Sequence, residues 1–336
     1  MEEPHDERAL PAYRAWPMGA TPNRAPSGMR RRMEGTPMQG AITLAHISDP
    51  HLSCALPKLG ECLGKRFLTL QSWRRRRETL HDPAVAETIR RDCQAAAPDG
   101  FAVTGDLVNF AMEREFAASA TWLCRLAAPE RVALVPGNHD ALVRGAAKTL
   151  RHHWRPWLGE GNEIFPYVRR IGPVDLVCVS SAVATAPLLA SGRVGRTQLD
   201  RLRSLLATPL EERCRVVLIH HPPVDGLSPA RKALTDRHAV ARVIAEGGVH
   251  MVLHGHLHAD LVSTIDADGG PVPVLGVPSM SIATGHHEHA GSWRRIRLSR
   301  GGAAGWRAVT ALRSVTSEGG IEEAAPVVFD LPKLPV

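Results

Sequence analysis

Five short polar clusters, each following an apolar run, hold the residues of this 336-residue chain whose types and spacing can do chemistry. They are Asp49-Pro50-His51, Gly105-Asp106-Leu107-Val108-Asn109, Gly137-Asn138-His139-Asp140, His220-His221-Pro222 and His254-Gly255-His256-Leu257-His258. Singly, each has a plain structural explanation. Asp49 can cap a helix near His51, and Asn138 can be an ordinary turn residue. Gathered in one crevice, these carboxylates, amides and imidazoles exceed what a core tolerates unpaired. Metal binding is the simplest resolution. Nitrogen and oxygen donors without cysteine suit Mn, Fe, Zn or a similar divalent ion.

The elements that must position these clusters are legible around them. Ala41 to Ile47, Phe101 to Thr104, Val132 to Val135, Leu176 to Ser180, Val216 to Ile219 and Met251 to Leu253 read as short buried strands. Helical patterns run from Pro83 to Ala97, Glu113 to Ala127, Arg196 to Leu206 and Asp236 to Glu246. This alternation predicts sheets covered by helices, and in such folds the carboxyl ends of the strands share one crevice. Later segments, Val262 to Ile265, Val272 to Val277, Trp293 to Leu298 and Trp306 to Leu312, read as further strands with Gly-rich turns, so the sheet becomes mixed. Residues 1–40 read as a disordered extension. Residues 41–313 form the expected domain, with a basic insertion at 58–78, and 314–336 read as a loose, Glu- and Pro-rich tail.

In order along the chain, the clusters spell D-x-H, G-D-x-x-N, G-N-H-D, a lone His and G-H-x-H. Together they resemble the calcineurin-like metallophosphoesterases, over roughly Leu44 to His258. The surroundings "TGDLVN", "VPGNHD" and "HHPP" are most similar to the branch that includes the class III cyclic-nucleotide phosphodiesterases. The resemblance implies an α/β fold, a four-layer αββα sandwich of two mixed sheets with the site at the strand C-terminal ends. It also implies two divalent ions (Mn, Fe or Zn). Asp49, His51 and His258 would hold one, Asn138, His220 and His256 the other, and Asp106 would bridge them. A metal-bridging hydroxide would attack phosphorus. His139 would serve the leaving oxygen, Asp140 would orient His139, and Asn109 would brace the Asp106 loop. An extended Gly255–His258 would turn both imidazoles to one side.

Several histidines are ambiguous. His220, directly ending its strand, is the expected ligand, with His221 a substrate contact or a partner to a ligand. His254 reads as a packed core group, and His286, His287 and His289 as a surface loop. Cys54 reads as a small buried apolar group. The segment "KRFLTLQSWRRRR", 65–77, is either a solvated helix face or a lip that grips an anionic substrate or membrane surface, with Arg74 and Arg75 as candidate contacts. Lys and Arg exceed Asp and Glu, 41 to 34, giving a net charge of +7 that favours anionic partners. No nucleic-acid-binding motif accompanies it.

The leading expectation is therefore a phosphodiesterase acting on nucleotide-type or cyclic-nucleotide diesters. The alternatives are a pyrophosphohydrolase of nucleotide-linked lipids of the UDP-diacylglucosamine type and a metal-dependent nuclease. Six scattered cysteines and the lack of a secretory h-region point to the cytoplasm, peripheral to a membrane if the insertion binds one. A homo-oligomer is left open.

Overall fold

The computed structural model describes residues 40–334 apart from 54, 78, 162–163, 286–289 and 302–304, with the backbone alone at 59, 76 and 77. Residues 1–39, Cys54, His286, His287 and His289 thus lie outside the described residues.

Two mixed sheets face each other. The first joins β1 (Ile42–Ile47), β2 (Gly100–Val103) and β3 (Val132–Leu134) in parallel, with β10 (Ser292–Arg300) antiparallel to β1 and β11 (Trp306–Val315) beyond it. The second runs β4 (Tyr167–Ile171), β5 (Val174–Cys178), β6 (Cys214–Leu218), β7 (Met251–His254), β9 (Val272–Gly276), β8 (Val262–Ile265). Its four middle strands are parallel.

Period-two alternation sorts the side chains. In β1, Leu44 enters the core between the sheets, whereas Ala45 and Ile47 face the helix layer. The middle strands are buried on both faces, which explains why they read as unbroken apolar runs. Leu176, Val216, Leu253 and Leu275 meet Leu44, Ile296 and Leu298 across the inter-sheet core.

Outside the first sheet lie α2 (Pro83–Ala95), α3 (Glu113–Leu126) and α4 (Ala146–Trp154). Outside the second lie α5 (Arg196–Leu206) and α6 (Arg237–Glu246), which bury Leu199, Leu202, Leu206, Val240, Val243 and Ile244 at helical spacing. The order helix, sheet, sheet, helix is the four-layer sandwich expected. α2 starts where it does because Asp82 accepts a hydrogen bond from the Ala84 N–H at 2.8 Å and Pro83 occupies the first helical position.

The segment expected to be a loose tail is instead part of the first sheet. β12 (Ile321–Glu323) and β13 (Val327–Asp330) pair end to end along the outer edge of β11. Phe329 and Leu331 are buried in the inter-sheet core. The ten-residue β11 would otherwise present an unpaired edge, and two short strands satisfy it.

The basic insertion contains α1 (Lys65–Ser72) and a wider helical turn, Trp73–Arg77. It is packed down rather than waving: Leu70 is buried beside Phe110 and Met112. Arg66 donates to the carbonyls of Phe110 (2.9 Å) and Ala111 (2.8 Å), and Lys65 Nζ donates to the Leu189 carbonyl at 2.8 Å.

Candidate metal centre

β1, β2, β3, β6 and β7 each release the chain toward one end of the sandwich, and the first donor follows within a few residues. Asp49 lies two residues past Ile47, Asp106 three past Val103, Asn138 four past Leu134, His220 two past Leu218 and His256 two past His254. The loops are laced together by their backbones. Asp49, His51 and Leu52 N–H groups donate to the carbonyls of Gly105, Asp106 and Leu107 at 2.9, 3.1 and 3.0 Å.

Two groups of donors result. In the first, Asp49 Oδ1 lies 3.1 Å from His258 Nε2 and 3.9 Å from His51 Nε2. In the second, His220 Nε2 lies 3.3 Å from Asn138 Oδ1, and the rings of His220 and His256 are 5.1 Å apart. Asp106 stands between them: its Oδ2 is 3.9 Å from His51 Nε2 and 3.5 Å from His220 Nε2. All seven sequence-predicted ligands are thus brought together. Asp49, His51, Asp106, Asn138, His220 and His256 are buried, and His258 is at the mouth.

The donor set fits divalent ions. One ligand atom each of Asp49, His51 and Asp106 lies within 4.8 Å of the others, and the same holds for His220 and His256 with their neighbour His221. Among the described residues, the ion pairs of the buried Asp49 and Asp106 are all with histidines. Three glycines let the loops close this tightly. A Cβ on Gly137 would sit 2.2 Å from Asp106 Oδ1, one on Gly105 2.8 Å from His220 Nδ1, and one on Gly255 2.5 Å from Asp49 Oδ2. Backbone strain concentrates here as well. Of the ten non-glycine residues with positive φ among the described residues, Asp49, His51, Asp106, His256 and His258 are five.

That strain corrects one expectation. His256 (φ 70°) and His258 (φ 52°) are left-handed, and β7 stops at His254. Turn geometry, not strand alternation, therefore aims both rings. His254 is a core group, with its Nδ1 2.9 Å from the Gly255 carbonyl.

The electrostatics follow from burying carboxylates among imidazoles. Burial alone would raise the Asp106 carboxyl, but the surrounding His220, His139 and His51 hold it well below the ordinary carboxylate range. Burial would likewise lower His220, yet the charge and hydrogen bond of Asp106, with Asp49 behind, push it up to about 9. His256 is lowered by burial and by its neighbours His221 and His220. A cation held by His220 would compete with that proton for one lone pair, so ion binding there would release a proton.

The surrounding residues divide less predictably. His139 is aimed by the Asn109 carbonyl, 2.9 Å from its Nδ1, and its backbone N–H donates to Asp106 Oδ1 at 2.7 Å. Asp140, expected to orient His139, does something else. Its carboxylate accepts from the backbone N–H groups of Asp106 (2.8 Å), Gly137 (2.8 Å) and Val108 (3.1 Å), tying two ligand loops together. Burial, with Asp106 beside it, pushes that carboxyl up to about 8 against the pull of those donors. Asn109 braces the Asp106 loop as expected, donating from Nδ2 to the Leu52 carbonyl at 2.9 Å.

His221 lies beside His256, but both ring nitrogens are engaged, Nδ1 with Ser181 Oγ (2.7 Å) and Nε2 with the Ala190 carbonyl (3.1 Å). It buttresses the second group rather than facing into it. Arg74 and Arg75 are exposed on the turn after α1, while Lys65 and Arg66 are the insertion's cations that grip the site loops. Sequence reasoning missed His81, whose ring is 4.4 Å from that of His51. Its only signal was position, just before the Asp82-Pro83 helix start.

The chain belongs to the calcineurin-like phosphoesterase family, whose profile matches residues 42–260. A relative from Rhodococcus erythropolis, described as a probable cyclic nucleotide phosphodiesterase, is 28% identical over 235 residues, covering 69% of each chain. Among solved structures, a dimetal phosphatase from Danio rerio shares the fold with a TM-score of 0.51 at 15% identity, over 84% of this chain and 98% of that one. A purple acid phosphatase from yellow lupin gives a TM-score of 0.52 at 12% identity. The match covers 86% of this chain but 54% of the lupin protein, about half its length.

Proposed function

We propose that this protein is a two-ion phosphodiesterase acting on nucleotide-type or cyclic-nucleotide diesters. Asp49, His51 and His258 would hold one ion, Asn138, His220 and His256 the other, and Asp106 would serve both. The observation that carries this reading is Asp106 Oδ2, which faces His51 on one side and His220 on the other. A carboxylate can serve two cations, whereas a neutral imidazole serves one. Two bound divalent ions, Mn, Fe or Zn, acidify water and neutralise phosphate charge. The remaining work falls to the chain. With its Nδ1–H donated to the Asn109 carbonyl, His139 as the imidazolium would carry its second proton on Nε2, pass that proton to the leaving oxygen and return to the neutral Nδ1–H tautomer. The resemblance to the Rhodococcus relative, described as a probable cyclic nucleotide phosphodiesterase, supports the diester preference.

The test is a panel of diesters and monoesters, including bis-p-nitrophenyl phosphate and cyclic nucleotides, offered to metal-stripped protein with Mn²⁺, Zn²⁺ or Fe²⁺ restored. Turnover of diesters only after restoration is expected. Equal activity without metal overturns the site reading, and turnover of monoesters alone overturns the diester assignment.

One observation favours a second reading, hydrolysis at a nucleotide-linked lipid. Among the described residues, four of the five exposed large apolar side chains, Leu63, Phe67, Leu188 and Leu189, lie on the insertion and on the loop Lys65 grips. That loop continues into Ala190, the partner of His221. Basic and apolar groups at the rim suit an anionic bilayer; no helix among the described residues is long and apolar enough to cross one. Co-sedimentation with phosphatidylglycerol vesicles, lost in Phe67→Glu, supports this reading, and equal binding to neutral phosphatidylcholine counts against it.

A further inference from the structure

We infer that His81, which belongs to none of the five sequence clusters, is an additional nitrogen donor to the first ion, supplied by the short segment between the basic insertion and α2. This inference rests on the two-ion reading above. Its starting point is geometric. The His81 ring is 4.4 Å from that of His51 and 5.8 Å from that of His258, and one nitrogen of each of the three lies within 4.8 Å of the others. Two nitrogens on one ion at ~2.1 Å each are ~3.4 Å apart in a tetrahedral arrangement. Drawing the trio onto an ion therefore needs side-chain adjustment, not a movement of the fold.

The second support is how the ring is held. His81 Nδ1 lies 2.8 Å from Ser281 Oγ. The backbone N–H of the next residue, Asp82, donates to the Ser281 carbonyl at 2.7 Å, and His81 bridges to Ile282 in an isolated strand-like pair. Ser281 Oγ in turn lies 3.2 Å from Ser279 Oγ, and Ser279 donates to the Asp49 carbonyl at 2.6 Å. One serine segment thus steadies the backbone of a ligand and the ring of His81. Metal-binding histidines typically use one nitrogen in this way, which fixes the tautomer and leaves the other for the ion. With Nδ1 committed to Ser281, Nε2 is the donor.

The consequence is an asymmetric pair of ions. The first would have three imidazoles, His51, His81 and His258, beside the Asp49 and Asp106 carboxylates. The second has two imidazoles, the Asn138 amide and Asp106. Imidazole-rich surroundings suit Zn and Fe better than Mn. The segment that joins the insertion to α2 would then complete the centre.

The experiment is equilibrium dialysis of metal-stripped full-length protein against Zn²⁺, with elemental analysis, for wild type, His81→Ala and Ser281→Ala. Co²⁺-loaded samples report the donor set independently through their visible absorption. The wild type is expected to bind two ions. His81→Ala is expected to keep one at wild-type affinity, to bind the other at least about tenfold more weakly, and to show an altered Co²⁺ spectrum. Ser281→Ala keeps the imidazole but removes the hydroxyl that holds its Nδ1, and should weaken the same ion by a smaller factor. Two ions of unchanged affinity and an unchanged spectrum in His81→Ala overturn the inference and leave the two-ion reading intact. Fewer than two ions in wild type overturns the reading itself. If His81→Ala fails to fold, Ser281→Ala decides: selective weakening of one ion supports the inference, and none overturns it.

Discussion

Gly137→Ala is the sharpest test of the close packing around Asp106. Gly137 does not sit in the left-handed region, so an added methyl group meets only steric resistance. That Cβ would lie 2.2 Å from Asp106 Oδ1 and 2.6 Å from His220 Cε1, where ordinary contact begins at 3.4 Å. The carboxylate must retreat by about 1.2 Å and the imidazole by about 0.8 Å, or the two loops must part. Either movement strains the 2.7 Å bond from the His139 N–H to Asp106 Oδ1. A misplacement of about 1 Å in a reacting constellation can cost about 100-fold in rate, and disturbing the support of a ligand costs about 10–100-fold in metal affinity. Gly137→Ala should therefore lose about 100-fold in kcat/KM on a diester and at least about tenfold in affinity for one ion. Gly60→Ala, with no atom within 4 Å of its new Cβ, is the neutral control. Steady-state kinetics and metal titration on both proteins decide it. A Gly137→Ala enzyme within threefold of wild type in both measurements would refute the claim that this glycine sets the Asp106 position.

Other predictions separate the roles around the site. His139→Ala should lower kcat by about 10²–10⁴ while both ions remain bound, checked by turnover and elemental analysis of one sample. Removing metal with EDTA should lower the melting temperature, because each ion held at 100 times its Kd adds about 2.7 kcal/mol to the folded state; scanning calorimetry with and without chelator reads it. Phe329→Ala should destabilise the protein by about 3–5 kcal/mol, since its ring is buried between the sheets. Urea unfolding showing less than 1 kcal/mol would return that strand to the status of a tail.

The strands, the helices that cover them and the candidate donor clusters were legible in the sequence because each is written locally, whereas the four-layer stacking came from the family resemblance. Each ligand cluster begins within a few residues of a strand end, so an apolar run followed by Asp-x-His or Gly-Asn-His carries its own placement. α5 was read to the residue from its helical pattern, and the start of α2 from Pro83. The C-terminal strands were missed for the opposite reason. Val327–Asp330 is short and surrounded by Pro and Glu, and it becomes a strand only because β11 offers it an edge.

Within the site, residue types and order alone determined which side chains could bind ions. Tertiary structure decided what each supporting group touches. Asp140 neighbours His139 in the chain, yet its carboxylate turns to three backbone N–H groups from two loops. His221 neighbours His220, but Ser181 and Ala190 occupy its ring nitrogens. His81 comes beside His51 where the Ser281–Ile282 segment, two hundred positions along, holds its ring and the backbone next to it. Donor chemistry belongs to a residue and survives in the sequence. Orientation belongs to whichever distant atom satisfies the remaining hydrogen bond, and that atom is fixed only when the two sheets pack.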